Sequence, residues 1–367
     1  MSAKSHTGRC SARVGLLGNP SDGFEGKTVS FELENFGAEV IVRELYHSPA
    51  VVIHPHPVLD PSSFHGGVSE LVQYTSLHGY YGGVRLVQAT VKRFYELLTS
   101  AGLSHVLDGR GFEVFYNTDI PRMVGLSGSS AIVVATMRAL MSFTDTDLVA
   151  LRIAKEDFPS VILNIEKLEL GISAGLQDRV IQVYGGLVHM DFSPAATRAP
   201  DQGGEEDGLA GVFTPLDAKL LPKMYLAYDM EGGGDSGKVH STVQARWRER
   251  EPQLVEGMTR LGQLADAGVA ALKMGGRAVL AGLMASNFAT RRELYGDAVV
   301  GRRNIDAVEL AASCGLTAKF TGSGGALVCL RADGTDAWLD EAAEARLRSA
   351  FESTGFKCVR IRESSLI

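Results

Sequence analysis

The amino-acid sequence predicts an α+β protein made of two domains, and three observations support this prediction. The chain has 367 residues, which is too long for one domain of average size. Its content of 45% hydrophobic and 22% charged residues is typical of a soluble globular chain with a large core. Strand-like and helix-like segments are mixed without strict β–α–β alternation, which favours α+β over a doubly wound sheet.

Charge and cysteine usage argue against several classes of protein. The net charge is −7 and the basic residues are scattered, whereas a nucleic-acid surface shows a basic stripe. No apolar run approaches the roughly 20 residues that a membrane span requires. The four cysteines form no CxxC pair, which favours a reducing compartment, and no apolar signal segment opens the chain. We therefore expect a cytoplasmic protein with no nucleic-acid or membrane partner.

In the first half of the chain, periodicity predicts strands and helices in turn. An apolar run at 12–18 leads into a turn cluster that begins at Asn19. The alternating segment 27–45 predicts two strands of a meander. The other predicted elements are helices within 68–98, interrupted by glycines at 79–83, a strand at 112–121, and helices at 131–143 and 147–170.

A change of composition divides the chain near its middle. Ser193 to Gly211 is small, polar and rich in proline and glycine, which predicts a surface insertion or linker. The expected domains are therefore 1–192 and 212–367. The elements predicted beyond the linker are a strand at 223–230, helices at 240–274, 276–294 and 302–314, a strand–turn–strand at 318–330, a helix at 336–351 and a last strand near 356–362.

The stretch "VGLSGSSA", from Val124 to Ala131, passes from glycine and serine into an apolar helical run. Its two glycines allow close backbone approach and positive φ without steric cost. Free N–H groups at the start of a helix favour an anion, and three serines add hydroxyl groups. A phosphate-binding loop fits this pattern. A serine-capped helix after a glycine turn fits the stretch alone equally well.

A second candidate phosphate loop lies at Gly232 to Lys238. Its spacing satisfies G-x-x-x-x-G-K, the pattern of a P-loop. The next residue is Val239, which has no oxygen, whereas the P-loop needs a Ser or Thr hydroxyl there as a magnesium ligand. The missing hydroxyl argues against a P-loop ATPase.

Three segments in order decide between these alternatives. "ARVGLLGNPSD", "PRMVGLSGSSA" and "KFTGSGGA" resemble the first, second and third motifs of the GHMP small-molecule kinases, although the second loop is one residue longer than the commonest form. Three ordered motifs are far more specific than any one of them. The resemblance implies the two-domain GHMP fold, with an N-terminal half like ribosomal S5 domain 2 and a ferredoxin-like C-terminal half.

Longer segments, including "GNPSDGFEGKTVSFEL" and "ELGISAGLQDRVIQVYGGLVHMDF", resemble the glucuronokinase branch of this family from about Arg13 to Leu330. This implies Mg²⁺-dependent transfer of phosphate from ATP to the anomeric hydroxyl of D-glucuronate. The 1-phosphate formed would feed UDP-glucuronate synthesis. The implied partners are ATP and a small sugar acid, with no protein partner. The alternatives are a sibling kinase for galacturonate, arabinose or galactose, and a catalytically silent sugar and ATP sensor.

The resemblance also implies roles for particular residues. Asp178, in "GLQDR", matches the catalytic aspartate that accepts the proton of the substrate hydroxyl. Arg13 would hold Asp178 ionised or stabilise charge on the transferring group. Without a catalytic role, Asp178 would be a helix cap or a surface ion-pair partner of Arg179. The residues implied to bind the nucleotide phosphates are Gly125, Leu126, Ser127, Gly128, Ser129 and Ser130.

Metal and sugar ligands complete the expected site. Ser130 and Glu166 match the magnesium ligands, and Glu169, three residues along, is the competing choice. The residues expected to bind the sugar are Asn19, Asp22, Lys238, Thr321, Gly322, Ser323, Gly324 and Gly325. A uronate also needs a cation for its carboxylate. The candidates, among which the sequence does not choose, are Lys27, Lys238, Arg179, Arg292 and Arg303.

Overall fold

The structure is a computed structural model that describes residues 4–62, 65, 68–78, 82–196, 211–231 and 243–362. The chain forms two compact units, each built from several segments. The first unit comprises Met1–Ser11, Phe36–Ile120 and Gly128–Ala174, and the second comprises Ala12–Asn35, Pro121–Ser127 and Gly175–Ile367. The division into domains 1–192 and 212–367 stays a prediction, and most of the expected linker lies outside the described residues.

The long strands β1 (Ser5–Leu17) and β2 (Lys27–Leu45) pair with each other. The prediction of a two-stranded meander within 27–45 is wrong, because β2 is one continuous strand. Its central Gly37 donates its N–H to the Asp119 carboxylate at 2.7 Å and accepts a hydrogen bond from the Thr118 hydroxyl at 3.0 Å. The glycine is thus held within the strand, and no turn is needed to satisfy its polar groups.

In the first unit, the end of β2 pairs antiparallel with β4 (Gly111–Thr118), which pairs in parallel with the short β3 (Val51–Ile53). The helices of this unit are α1 (Val68–His78), α2 (Val84–Ala101), α3 (Gly128–Thr144) and α4 (Phe158–Asn164), which continues as a π-helical turn over Ile165–Glu169. The helix predicted at 147–170 begins only at Phe158, because Pro159 favours the first turn of a helix.

In the second unit, the start of β2 pairs with β5 (Leu187–Asp191), which pairs with β6 (Val212–Leu216). A separate antiparallel sheet has the order β10-β7-β9-β8 and consists of β7 (Tyr225–Asp229), β8 (Leu316–Phe320), β9 (Ala326–Arg331) and β10 (Phe356–Arg360). Helices separate β7 from β8 and β9 from β10, so the chain order and sheet order are those of a ferredoxin-like fold. The predicted ferredoxin-like half is confirmed.

Helices of the second unit include α5 (Gln177–Tyr184), α6 (Pro252–Lys273), α7 (Arg277–Tyr295), α8 (Asp297–Val300), α9 (Arg302–Ser313) and α10 (Glu341–Glu352). The single helix predicted at 240–274 is wrong: residues 243–248 are helical, and α6 begins anew at Pro252. The residue before a proline is disfavoured in the helical region, and Glu251 has ψ 121°. Among the described helices, none has the length and apolar character needed to cross a bilayer.

Candidate active site

Arg13, on β1, links the three sequence motifs within the second unit. Its guanidinium donates from Nε to Asp178 Oδ1 at 2.6 Å, and from Nη1 to the carbonyls of Gly125 at 2.6 Å and Thr321 at 2.9 Å. The residue is only 4% exposed. A planar guanidinium offers five N–H groups in a fixed fork, so one side chain can orient several acceptors at once. The expected pairing of Arg13 with Asp178 is present in the structure.

Asp178 lies in the first turn of α5, with its side chain 21% exposed. It also lies 3.4 Å from the guanidinium of Arg179, which donates to the carbonyl of Gly175. Burial acts to raise the pKa of Asp178, but the charges of Arg13 and Arg179, with hydrogen bonds from Arg13 and Ser127, outweigh it and lower the pKa. Asp178 is therefore a partly buried, ionised carboxylate rather than a surface ion-pair partner.

The second-motif loop enters the site with an unusual backbone. Met123, Gly125 and Ser127 all have positive φ, at 57°, 72° and 63°. Recurring left-handed residues are a feature of backbone concavities that present N–H groups to anions. The loop's carbonyls point to protein donors instead: Thr321 Oγ1 donates to Gly125 at 3.1 Å, and Gln182 Nε2 donates to Ser127 at 2.9 Å. The loop conformation is thus supported by side chains around it.

The third-motif loop, Thr321 to Gly325, packs closely against the second. A Cβ at Gly322 would lie 2.5 Å from the Gly125 carbonyl, and one at Gly325 would lie 2.9 Å from Val124 Cα. Arg291 donates to the carbonyls of Gly322 and Ser323, at 2.6 and 3.0 Å. These glycines therefore have a packing reason of their own, because two backbone segments meet where a side chain would not fit.

Asp22 and Asn19 occupy the turn after β1, and their surroundings differ. Burial and, secondarily, the charge of Asp178 raise the pKa of Asp22 to about 7, against the opposing charge of Arg13. A Cβ at Gly175 would lie 2.5 Å from Asp22 Oδ2, so a larger residue at position 175 would displace this carboxyl group. Asn19 is 3% exposed, and its Oδ1 accepts a hydrogen bond from Lys319 Nζ at 2.7 Å.

Two buried cations, Lys319 and Arg291, were not predicted from the sequence. Lys319 is 1% exposed and donates to the carbonyls of Gly15 and Phe320 as well as to Asn19. Burial, together with the charges of Arg291 and Arg13, places its pKa well below the usual value. Burial also lowers the pKa of Arg291, which is 3% exposed. Lys319 opens the third motif, so the motif itself was the available signal for it.

Four of the cations proposed for the substrate carboxylate already pair with acidic side chains of the second unit. These pairs are Lys27 with Asp266 at 2.9 Å, Arg179 with Asp178 at 3.4 Å, Arg292 with Asp297 at 2.5 Å and Arg303 with Asp229 at 2.6 Å. A carboxylate ligand would have to compete with each of these partners. The fifth candidate, Lys238, and the rejected P-loop around it lie outside the described residues.

The first unit carries the expected magnesium ligands. Gly128, Ser129 and Ser130 open α3, and Ser130 is fully buried. Glu166 is also fully buried and lies in the π-helical turn, a type of local distortion that is frequent at functional sites. The competing Glu169 accepts a hydrogen bond from Lys92 at 2.6 Å. A hydroxyl and a carboxylate are the oxygen donors that Mg²⁺ prefers.

Comparisons with known proteins agree with this architecture. Residues 85–186 match the model of the GHMP kinases N terminal domain. Glucuronokinase 1 of Arabidopsis thaliana is 43% identical over 336 residues, covering 89% of this chain and 85% of that protein. Probable glucuronokinase 2 of the same plant is 44% identical over 327 residues, with coverages of 89% and 84%.

Solved structures with this fold are more distant in sequence. Lactococcus lactis galactokinase, solved with galactose, has a TM-score of 0.71 at 14% identity and covers 98% of this chain and 94% of its own. Methanococcus jannaschii mevalonate kinase has a TM-score of 0.69 at 15% identity and covers 99% of both chains. These likenesses show a shared fold.

The chain therefore belongs to the GHMP kinase family, whose members are phosphotransferases acting on a hydroxyl group. Within that family, the two curated plant relatives that cover most of the chain are glucuronokinases. The resemblance found in the sequence motifs is confirmed.

Proposed function

We propose that this protein transfers the γ-phosphoryl group of ATP to the anomeric hydroxyl of D-glucuronate, giving D-glucuronate 1-phosphate and ADP. Identity of 43–44% to glucuronokinases over most of the chain supports the substrate. One structural observation carries the chemistry: the buried Arg13 holds the Asp178 carboxylate and the backbones of the second and third motifs through 2.6–2.9 Å hydrogen bonds.

In the proposed reaction, the anomeric oxygen of the sugar attacks the γ-phosphorus. The bond between that phosphorus and the bridging oxygen of ADP breaks, and the hydroxyl proton passes to Asp178. The lowered pKa of Asp178 makes it a weak base, which suits a loose transition state in which the proton leaves late. Arg13 orients the carboxylate, and its charge keeps Asp178 ionised before the sugar binds.

The nucleotide phosphates would bind the loop from Gly125 to Ser130, whose positive-φ residues and helix start offer main-chain N–H groups. Ser130 and Glu166 would hold Mg²⁺, which neutralises charge on the phosphates when bound. Magnesium usually takes only one or two carboxylates and completes its shell with phosphate oxygens and water. This ligand set fits such a site without a larger cluster of acidic residues.

The sugar would bind beside Asp178, close to Asp22 and the third-motif loop. The charge of Asp178 raises the pKa of Asp22, so the two carboxyl groups lie near each other, as contact with one substrate would require. Asn19 is engaged with Lys319, so its proposed part is to support the turn that carries Asp22. A cytoplasmic location and a role in supplying UDP-glucuronate remain part of the same proposal, on the composition and on the relatives.

An ADP-release assay over a panel of sugars tests this function. We expect turnover of D-glucuronate above galacturonate, arabinose, galactose and glucose, with the product identified as the 1-phosphate. Asp178→Asn preserves shape but removes the proton acceptor, so kcat should fall about 10²- to 10⁴-fold while ATP affinity stays the same. Asp306→Asn, at a surface aspartate that is 51% exposed, is the matched control.

The outcomes separate the alternatives. Turnover of neutral sugars without uronates would support a sibling sugar kinase and refute the glucuronate assignment. Calorimetric binding of ATP and sugar without any product would support a sensor. An Asp178→Asn variant with the turnover of the wild type would show that Asp178 is not the proton acceptor.

A further inference from the structure

A buried hydroxyl group on α7 has no partner in the protein. Tyr295, the last residue of α7, is 7% exposed, and its Oη makes no hydrogen bond within the described parts of the chain. Leaving a buried hydroxyl unpaired is unfavourable, because its hydrogen bonds to water are lost without replacement. Such a group is explained if a ligand supplies the missing partner.

Arg291 lies one helical turn before Tyr295, with its Cζ 5.3 Å from the centre of the tyrosine ring. The guanidinium donates to the carbonyls of Gly322 and Ser323 in the third-motif loop. Within the described residues, no carboxylate forms an ion pair with it. Its positive charge is therefore buried beside the proposed sugar site without direct neutralisation, which is costly unless an anion binds nearby.

The charges around this pair leave a local excess of positive charge. Arg13 is matched by Asp178 at 2.6 Å, whereas Arg291 has no ion-pair partner among the described residues and feels the charge of Asp22. Asp22 is only partly ionised at neutral pH, because its pKa is about 7. Burial raises the pKa of Tyr295 to about 12, so its hydroxyl keeps its proton and can act as a donor. The unpaired charge of Arg291 and the protonated hydroxyl of Tyr295 both favour an anionic hydrogen-bond acceptor.

We propose that the Tyr295 hydroxyl donates a hydrogen bond to the carboxylate of the sugar-acid substrate, with the Arg291 guanidinium supplying the opposite charge beside it. Together the two residues select a uronate over the corresponding neutral sugar. This inference rests on the proposed function and names the carboxylate-binding part of the same site. Arg291 also positions the third-motif loop, so replacing it would disturb that loop as well. Tyr295 is therefore the residue whose replacement tests carboxylate binding alone.

Tyr295→Phe removes one oxygen atom and keeps the packing of the ring. We expect KM and the calorimetric Kd for D-glucuronate to rise about 10- to 100-fold, the usual range for losing a hydrogen bond to a charged group. The kcat and the KM for ATP should stay within about twofold, and inhibition by D-glucose, which lacks the carboxylate, should not change. The Tm of the free protein should not fall, because the deleted hydroxyl had no partner.

Tyr225→Phe is the matched control. Tyr225 is 1% exposed, and its Oη donates to Glu344 at 3.2 Å and accepts from the N–H of Leu339 at 3.0 Å. This variant should lose thermal stability and keep the glucuronate KM. The contrast between the two tyrosines separates substrate binding from packing.

Three results would overturn the inference. A Tyr295→Phe variant with the glucuronate KM and Kd of the wild type would show that the hydroxyl does not bind the carboxylate. A rise in the KM for ATP instead would assign the hydroxyl to the nucleotide. If the wild-type protein neither binds nor phosphorylates glucuronate, the proposed function fails, and this inference fails with it.

Discussion

Replacing Asp22 with asparagine should stabilise the protein more at pH 8 than at pH 5. The native pKa of Asp22 is about 7, raised by burial and by Asp178 from a reference value of 3.8. Between these two values the native state holds a proton that the unfolded state has already released. Because the unfolded state then binds fewer protons, the free energy of unfolding falls as pH rises through this window.

The expected size follows from the pKa difference. One pKa unit corresponds to about 1.4 kcal/mol, so the wild type should lose about 3 kcal/mol between pH 5 and pH 8 relative to Asp22→Asn. The lowered pKa of Asp178 acts in the opposite sense, since its stabilisation is lost only as pH falls below the unfolded value. Asp178 therefore contributes no slope in this window.

Urea unfolding followed by tryptophan fluorescence measures this difference. Both tryptophans of the chain, Trp247 and Trp338, belong to the same compact unit as Asp22, so the signal reports on that unit. The unfolding free energy of the wild type is subtracted from that of the variant at each pH, and the change in this difference between pH 5 and pH 8 is compared. The pH-independent effects of the substitution cancel in that change. Asp306→Asn, at an exposed aspartate of the same unit, controls for loss of a surface carboxylate.

Parallel stability curves for the wild type and Asp22→Asn between pH 5 and pH 8 would refute the reasoning. That result would mean that the Asp22 carboxyl group is hydrated or neutralised in the native state, and that burial beside Asp178 does not control its ionisation. An Asp22 held ionised in the native state, as Asp178 is, would also give parallel curves, because a lowered pKa contributes no slope between pH 5 and pH 8.

Two further predictions concern the loop and the metal. Gly125→Ala should destabilise the protein by about 1–3 kcal/mol in urea unfolding, because φ is 72° and the new Cβ would lie 2.9 Å from the Ser323 nitrogen. Gly282→Ala is the control, because Gly282 lies within α7 and an added Cβ there would meet no other atom. This variant should be neutral or stabilising by up to about 1 kcal/mol. If both variants lost the same unfolding free energy, the strain argument would be contradicted. Glu166→Gln should raise the Mg²⁺ concentration needed for half-maximal activity about tenfold or more, and Glu169→Gln should leave it unchanged. If instead only Glu169→Gln raised this concentration, Glu169 would be the magnesium ligand.

Much of the fold could be predicted from local pattern. The helical periodicity of apolar residues predicted helices near Val84–Ala101 and Arg277–Tyr295, and both helices are present in the structure. The pattern was informative because one face of each helix is buried. The strand–turn–strand of the third motif was recognised from its glycines. Errors occurred where tertiary contacts replaced a local signal, as at Gly37, whose turn-like surroundings are held in an unbroken strand by Asp119.

The candidate site was only partly predictable. Charged residues in segments that resemble family motifs indicated Arg13 and Asp178, and these two residues form an ion pair in the structure. Lys319 opens the third motif, but its burial was not predicted. Arg291 and Tyr295 lie outside the motifs and carried no such signal, because arginine and tyrosine are usually exposed or serve in packing. These residues differ from ordinary surface or packing residues because they are buried against groups that lie far away in the chain. The periodicity of the sequence does not predict such contacts.

The sequence by itself determined the family, the order of the motifs and the types of chemical group available, because these depend on side-chain identity and short-range spacing. Only the tertiary structure decided how those groups behave. The pKa of Asp22 and that of Asp178 are shifted in opposite directions although both residues are half-buried aspartates. Burial and the charge of Asp178 raise the pKa of Asp22, whereas the charges of Arg13 and Arg179 outweigh burial and lower the pKa of Asp178. Burial and the distance between charges arise from contacts across more than a hundred residues, and such contacts exist only once the chain has folded.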